Sequence, residues 1–238
     1  MATKYTLYYW PIAFRGQFAK VILAHTQTPF TMAPVPELMA LKTPPPSAES
    51  AALFMAPPLL YDREADTYIS QMPAISFHLG QKFNLMPTDV TKQSYAVKFV
   101  LDCNDVLAGI TRNNGSMMWD EESWAEFAKD EAGGRFARWL QLFEQMSIRW
   151  GNLQPNSGWV LGTPDPTIAD LSCFACFGTM EHCVPELGPF LRKWAPSVMM
   201  MCDRLKASSP GIAALMAELP QKPYCGGQIE ASLRSVVA

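Results

Sequence analysis

The sequence predicts an α/β domain over residues 1–84 followed by an all-helical domain over residues 88–238. Three observations carry that reading. The chain opens on an alternating aromatic strand that turns at a proline straight into an amphipathic helix; the first 80 or so residues mix strand and helix signals; and beyond Met86-Pro87 only long helical periodicities remain.

In the opening strand, residues 5–10, Tyr5, Leu7 and Tyr9 share one face while Thr6, Tyr8 and Trp10 share the other. Phe18, Val21, Ile22 and His25 then follow helical spacing over residues 15–25. Ligands of open α/β sheets bind at strand carboxyl ends, beside helix N-termini that favour anions, so Tyr9, Trp10 and Arg15 are the first functional candidates. Residues 30–33 read as a second strand. The stretch 35–52 contains Pro36, Pro44, Pro45 and Pro46 and reads as a loop with at most one short helix. Two short apolar runs, 59–61 and 67–69, flank the polar segment from Asp62 to Asp66 as a hairpin. Pro73 opens a helix to about Lys82, at a first-turn position where its missing N–H costs nothing.

In the second domain Phe136, Trp139, Leu140, Phe143 and Met146 recur at helical intervals and make a broad apolar face. The segment 158–162 leads to Thr167, which can cap a helix while Asp170 reaches back to its N–H, and the apolar run to Phe177 marks that helix as buried. No internal repeat is evident.

At 238 residues, 49% hydrophobic and 17% charged with a net charge of −3, the chain reads as an ordinary globular protein without the basic surplus that nucleic-acid binding needs. No apolar run reaches the roughly 18 residues of a membrane span, and strand-like sequence already starts at Tyr5, so a soluble, cytoplasmic protein is expected. Its six cysteines are then expected as reduced thiols. Cys173 and Cys176 form a C-x-x-C inside an apolar run, with no second pair and no histidine at ligand spacing, so helix packing is favoured over metal or redox chemistry. His25, His78 and His182 are isolated and read as packing or capping residues, and Gly226-Gly227 reads as a turn.

Four motifs resemble the cytosolic glutathione transferase family over nearly the whole chain. They are the strand with Tyr9 and Pro11, the segment Ala56-Pro57-Pro58-Leu59-Leu60, the segment Gln71-Met72-Pro73-Ala74-Ile75, and the capping box ending at Asp170. The resemblance implies a thioredoxin-like N-terminal domain, an all-helical C-terminal domain and a cis peptide bond at Pro58. It also implies the chemistry: glutathione as co-substrate, with no further cofactor or metal, attacks an apolar electrophile through its thiolate. Tyr9 aligns with the catalytic tyrosine whose hydroxyl faces the sulfur. The bare residue pattern leaves open that Tyr9 is a buried aromatic with a local acceptor.

The same resemblance assigns glutathione contacts to Trp10, Arg15, Lys42, Pro57, Pro58, Gln71, Met72 and Asp105. Several departures weaken the peptide site. Ala56 stands where a glutamine is common, Pro57 lacks the backbone N–H that pairs with the cysteinyl carbonyl, and Met72 has no hydroxyl. No tryptophan lies in the loop before Lys42. Lost charge-assisted hydrogen bonds are worth about 1.5 to 3 kcal/mol each. Arg15 is either a structural ion-pair partner or a carboxylate contact, and Lys42, Asp102 and Asp105 read equally as solvated charges. Phe14, Met118 and Trp119, with Trp10, form the expected electrophile pocket, although helical packing also explains them. Phe54, four residues before Pro58, is expected to plug a homodimer partner, or else to fold onto its own domain. The departures keep a second class open: a catalytically silent protein of the same fold that binds a hydrophobic ligand or serves in a larger assembly.

Overall fold

Pairing of the opening strand organises the N-terminal sheet. The computed structural model describes residues 3–129 and 133–238. Strand β1 (Tyr5–Tyr8) leads into helix α1 (Gly16–His25) and returns parallel to β1 as β2 (Phe30–Met32), with Tyr5 opposite Phe30. Helix α2 (Val35–Lys42) follows, with Pro36 in its first turn. Strands β3 (Leu59–Asp62) and β4 (Thr67–Ser70) form the expected hairpin and complete an order of β2-β1-β3-β4, in which β3 runs antiparallel to β1 and β4. Helix α3 (Met72–Lys82) then packs beside α1.

Alternation in β1 sends its two faces to different cores. Tyr5, Leu7 and Tyr9 join the main apolar cluster with α1 and α3, whereas Tyr8 joins a smaller cluster with Leu38 of α2 and Leu59. Strand pairing ends at Tyr8, two residues earlier than the aromatic pattern suggests. The reason lies opposite it: Pro57 and Pro58 precede Leu59 and have no N–H with which to continue the ladder. The hairpin differs in one further respect. Asp62, expected in a polar turn, is fully buried. Its carboxylate accepts the N–H groups of Glu64 and Ala65 and meets His78 Nε2 at 2.9 Å and Lys82 Nζ at 3.0 Å, tying the hairpin to α3.

From residue 90 onward the described regular structure is helical: α4 (Val90–Ile110), α5 (Arg112–Gly115), α6 (Glu121–Phe127), α7 (Arg135–Gly151), α8 (Ile168–Cys173), α9 (Thr179–Cys183), α10 (Gly188–Trp194), α11 (Pro196–Ser208), α12 (Pro210–Glu218) and α13 (Gly227–Val237). Element α5 is a single turn with every φ positive rather than a right-handed helix. Asp89 caps α4 by accepting the Lys92 N–H at 2.8 Å, and the buried residues Ala96, Phe99, Val100, Cys103, Val106, Leu107 and Ile110 repeat with helical spacing along it.

The capping box of α8 is present as expected. Asp170 Oδ2 accepts the Thr167 N–H at 2.8 Å, and its other oxygen accepts Val160 N–H at 2.8 Å. Between α8 and α9 the backbone widens into one π-helical turn, Phe174–Gly178, holding Cys176 fully buried. Cys173 and Cys176 are thus packing residues, and all six cysteines are free thiols. The histidines do more than pack: His25 Nδ1 lies 3.3 Å from Ser209 Oγ, and His182 Nε2 lies 2.8 Å from the Leu219 carbonyl. No described helix is long and apolar enough to cross a membrane.

Candidate active site

The strand register gathers the motif residues at one end of the sheet. Tyr8 lies opposite Leu59, and Leu59 lies opposite Ser70, so the next residues along, Tyr9, Pro58 and Gln71, share that edge. The Pro57–Pro58 peptide bond is cis, as the motif implies, and Pro58 is buried. Gln71 sits exposed at the N-terminus of α3 with φ 71° and ψ 121°, a left-handed conformation that non-glycine residues adopt only under constraint. Met72 is buried and opens the helix, placing free N–H groups and the positive end of the helix dipole at this edge.

Tyr9 is 4% exposed. Its ring lies flat against Gly16, where any Cβ would overlap the ring carbons, so only glycine admits this approach. Burial pushes the phenol pKa up to about 12, against the opposing pull of the Arg15 charge and of the Gly16 and Arg15 backbone N–H groups on the oxygen. The hydroxyl is therefore protonated at neutral pH and able to donate one hydrogen bond. Arg15 itself donates from Nε to Asn104 Oδ1 at 2.9 Å and stacks on Phe14 with its guanidinium carbon 4.9 Å from the ring centre. It joins α1 to α4.

The expected electrophile wall is divided. Phe14 is buried edge-on against Tyr224, with ring centres 5.5 Å apart, and Trp10 is half-buried between the two apolar clusters. Trp119 instead donates its indole N–H to the Ile110 carbonyl at 2.8 Å and lines a cavity of about 700 Å³ between α4, α6 and α7, together with Met117 rather than Met118. Neither Tyr9, Trp10 nor Phe14 lines that cavity. Asp105 does, exposed on the outer face of α4, while Asp102 pairs with Lys98 one turn earlier. Lys42 is exposed at the end of α2. Phe54 is half-buried against the smaller cluster of its own chain, flanked by Leu53 at 62% and Met55 at 86% exposure.

The C-terminal segment is a neighbour of the site that sequence reasoning did not identify. Ala13 N–H donates to the Pro223 carbonyl at 3.1 Å, and Glu230 accepts the N–H groups of Tyr224 at 2.8 Å and Gly226 at 2.6 Å, holding the Tyr224 ring inward. The Tyr224 hydroxyl is buried without a hydrogen-bond partner among the described residues. Gly226 and Gly227 make the expected turn, with φ of 76° and 65°. A glycine pair three residues before a glutamate was the only sequence signal for this arrangement, and it shows a turn without showing where the turn docks.

Residues 95–236 match the family model for the glutathione S-transferase C-terminal domain. Among solved structures, a Pi-class glutathione S-transferase from Onchocerca volvulus is similar with a TM-score of 0.70 and 21% identity, over 91% of this chain and 93% of that one. The glutathione S-transferase of Ascaris lumbricoides gives 0.69 and 19%, over 93% and 100%. Prostaglandin synthase D of Nilaparvata lugens gives 0.66 and 15%, over 92% and 99%. These likenesses concern the fold. A sequence search of curated proteins gives no match.

Proposed function

Because the chain belongs to the glutathione S-transferase family, we propose that it conjugates the glutathione thiolate to a small apolar electrophile, with Tyr9 as the hydroxyl that stabilises the sulfur. The observation carrying this reading is the convergence of Tyr9, cis-Pro58 and the strained Gln71 at one sheet edge, between the N-termini of α1 and α3. A free thiol is mostly protonated at neutral pH, so a donor aimed at the sulfur lowers the barrier by favouring the thiolate. Tyr9, kept protonated by burial, has the right state to donate to the sulfur. The Pro57 carbonyl, the Met72 N–H, Gln71, Trp10 and Lys42 would hold the peptide, and Asp105 would serve a partner subunit's site.

Steady-state conjugation of an apolar electrophile is expected to fall about 10- to 1000-fold in Tyr9→Phe, the scale for losing one preorganised donor. Unchanged turnover in that variant would remove Tyr9 from the mechanism. A second reading is favoured by one observation: Tyr9 lies almost wholly covered. On that reading the protein, working in the cytoplasm, is a silent member that holds a hydrophobic ligand. Glutathione calorimetry separates the two, since absence of heat up to millimolar peptide supports the silent reading and micromolar binding with turnover excludes it.

A further inference from the structure

We propose that Pro57 opens the Tyr9 site to thiols of the N-acyl cysteamine class, in which an acylated amino group and the sulfur sit at the two ends of an unsubstituted ethylene unit. Such a thiol keeps the amide N–H of a cysteinyl peptide at the same distance from the sulfur and lacks the carbonyl that cysteine bears on its α-carbon. The proposal rests on the conjugation reading of the site.

The approach from β3 supplies one kind of backbone group only. Pro57 and Pro58 stand directly before Leu59, opposite the end of β1, and neither has an N–H. No side chain makes up the difference: residues 51–60 read Ala-Ala-Leu-Phe-Met-Ala-Pro-Pro-Leu-Leu, without a polar side chain among them. The carbonyl of Pro57, a half-buried residue, accepts no hydrogen bond from any described backbone N–H. A thiol bound here can give an N–H to that carbonyl, whereas a carbonyl of its own meets no donor from residues 57 and 58.

Several donors of β1 and α1 are taken up within the chain. Pro11 has no N–H, Ile12 N–H donates to the Trp10 carbonyl at 2.8 Å, and Ala13 N–H donates to the Pro223 carbonyl at 3.1 Å. The Arg15 and Gly16 N–H groups turn to the Tyr9 oxygen, and the Arg15 side chain is held by Asn104 at 2.9 Å. The start of α3 does offer donors, because the Met72 and Ala74 N–H groups on either side of Pro73 have no described backbone acceptor. The arrangement is one-sided. An acyl oxygen beyond the ligand's amide can meet the positive end of the α3 dipole, while a carbonyl on the Pro57 side goes unpaired. An unpaired acceptor costs binding once it leaves water, so a thiol without that carbonyl loses nothing by lacking it.

The test compares N-acetylcysteamine with N-acetylcysteine methylamide, which differ only in the carbonyl-bearing group, using chlorodinitrobenzene as the electrophile. In each case the sulfur bonds to the ring carbon, chloride leaves with the bonding pair and the thiol proton passes to solvent. Dividing kcat/KM by the uncatalysed rate of the same thiol removes the difference in intrinsic reactivity. The native protein is expected to use the cysteamine at least as well as the amide. Pro57→Ala, which restores one N–H beside the retained Pro58, is expected to shift that ratio about tenfold towards the amide. Glutathione turnover measured alongside tests the conjugation reading by itself. Where glutathione is turned over, a native preference of about tenfold or more for the amide, or an unchanged ratio in folded Pro57→Ala, overturns the proposal alone. If glutathione and both small thiols are inert, the conjugation reading falls and the proposal with it.

Discussion

A methyl group at position 16 would collide with the Tyr9 ring, and so the placement of the candidate catalytic hydroxyl depends on a residue that carries no chemistry of its own. Gly16→Ala is expected to lower stability by about 1 to 3 kcal/mol, the usual scale for forcing extra volume into a packed site, and to reduce conjugation along with it. Urea denaturation checks the first effect and steady-state kinetics the second. Asp62 is the other residue whose role follows from its surroundings. Burial alone would raise its carboxyl pKa, but the bonds from His78 and Lys82 outweigh that and hold it below its ordinary value of 3.8. A depressed carboxylate stabilises the fold above its unfolded pKa and loses that contribution as pH falls through the folded one. The urea midpoint should therefore decline below about pH 4 in the native protein. Asp62→Asn should start lower at pH 7 and show a shallower acid decline; an identical decline would refute the assignment.

At the scale of elements, helix starts are stabilised both locally and at a distance. Asp89 and Thr167 cap the helices that they precede, Thr167 as its place in the sequence suggests. The start of α11 is different: its cap comes from Glu144 on α7, 53 residues earlier in sequence, which accepts Ser197 N–H at 3.0 Å and Val198 N–H at 3.2 Å. Glu144→Ala should destabilise by about 0.5 to 2 kcal/mol through loss of this cap. Amide hydrogen exchange should locate the loss in the first turn of α11 and the facing part of α7. Uniform loss of protection across the molecule would instead point to a general packing role.

For the molecule as a whole, the main apolar cluster is continuous. It runs from Tyr5 and Leu7 in the sheet through Phe18 on α1 to Phe99 on α4 and Phe177 in the π-helical turn, and the Arg15–Asn104 bond spans the same junction. Sheet and helical bundle should therefore unfold together, so that far-UV and near-UV circular dichroism trace one coincident thermal transition. Two resolved transitions would show the junction to be weaker than its packing indicates. Association is predicted from the Leu53-Phe54-Met55 loop, because a homodimer would cover its exposed apolar side chains, worth about 1.5 to 3 kcal/mol for each one buried. Phe54→Ala should weaken self-association in analytical ultracentrifugation, and a native chain that stays monomeric at tens of micromolar would exclude the dimer.

The elements themselves were legible because their causes are local. Alternation in β1, apolar spacing in α1 and α7, Pro73 at the start of α3 and the Thr167–Asp170 box each specify a conformation within a few residues. The motif order also points to Tyr9, Pro58 and Gln71, which the strand register brings to one edge of the sheet. What sequence alone left open depends on which distant segments meet. Asp62 looks like a turn residue until His78 and Lys82 close over it; Phe14 looks like a pocket wall until Tyr224 docks on it from the C-terminal segment; and Trp119 lines a cavity whose other walls, Gly109 and Trp139, come from α4 and α7. Backbone hydrogen bonding and periodic burial are decided by near neighbours along the chain. Burial, charge pairing and the shape of a cavity are decided by residues that only the tertiary structure brings within reach.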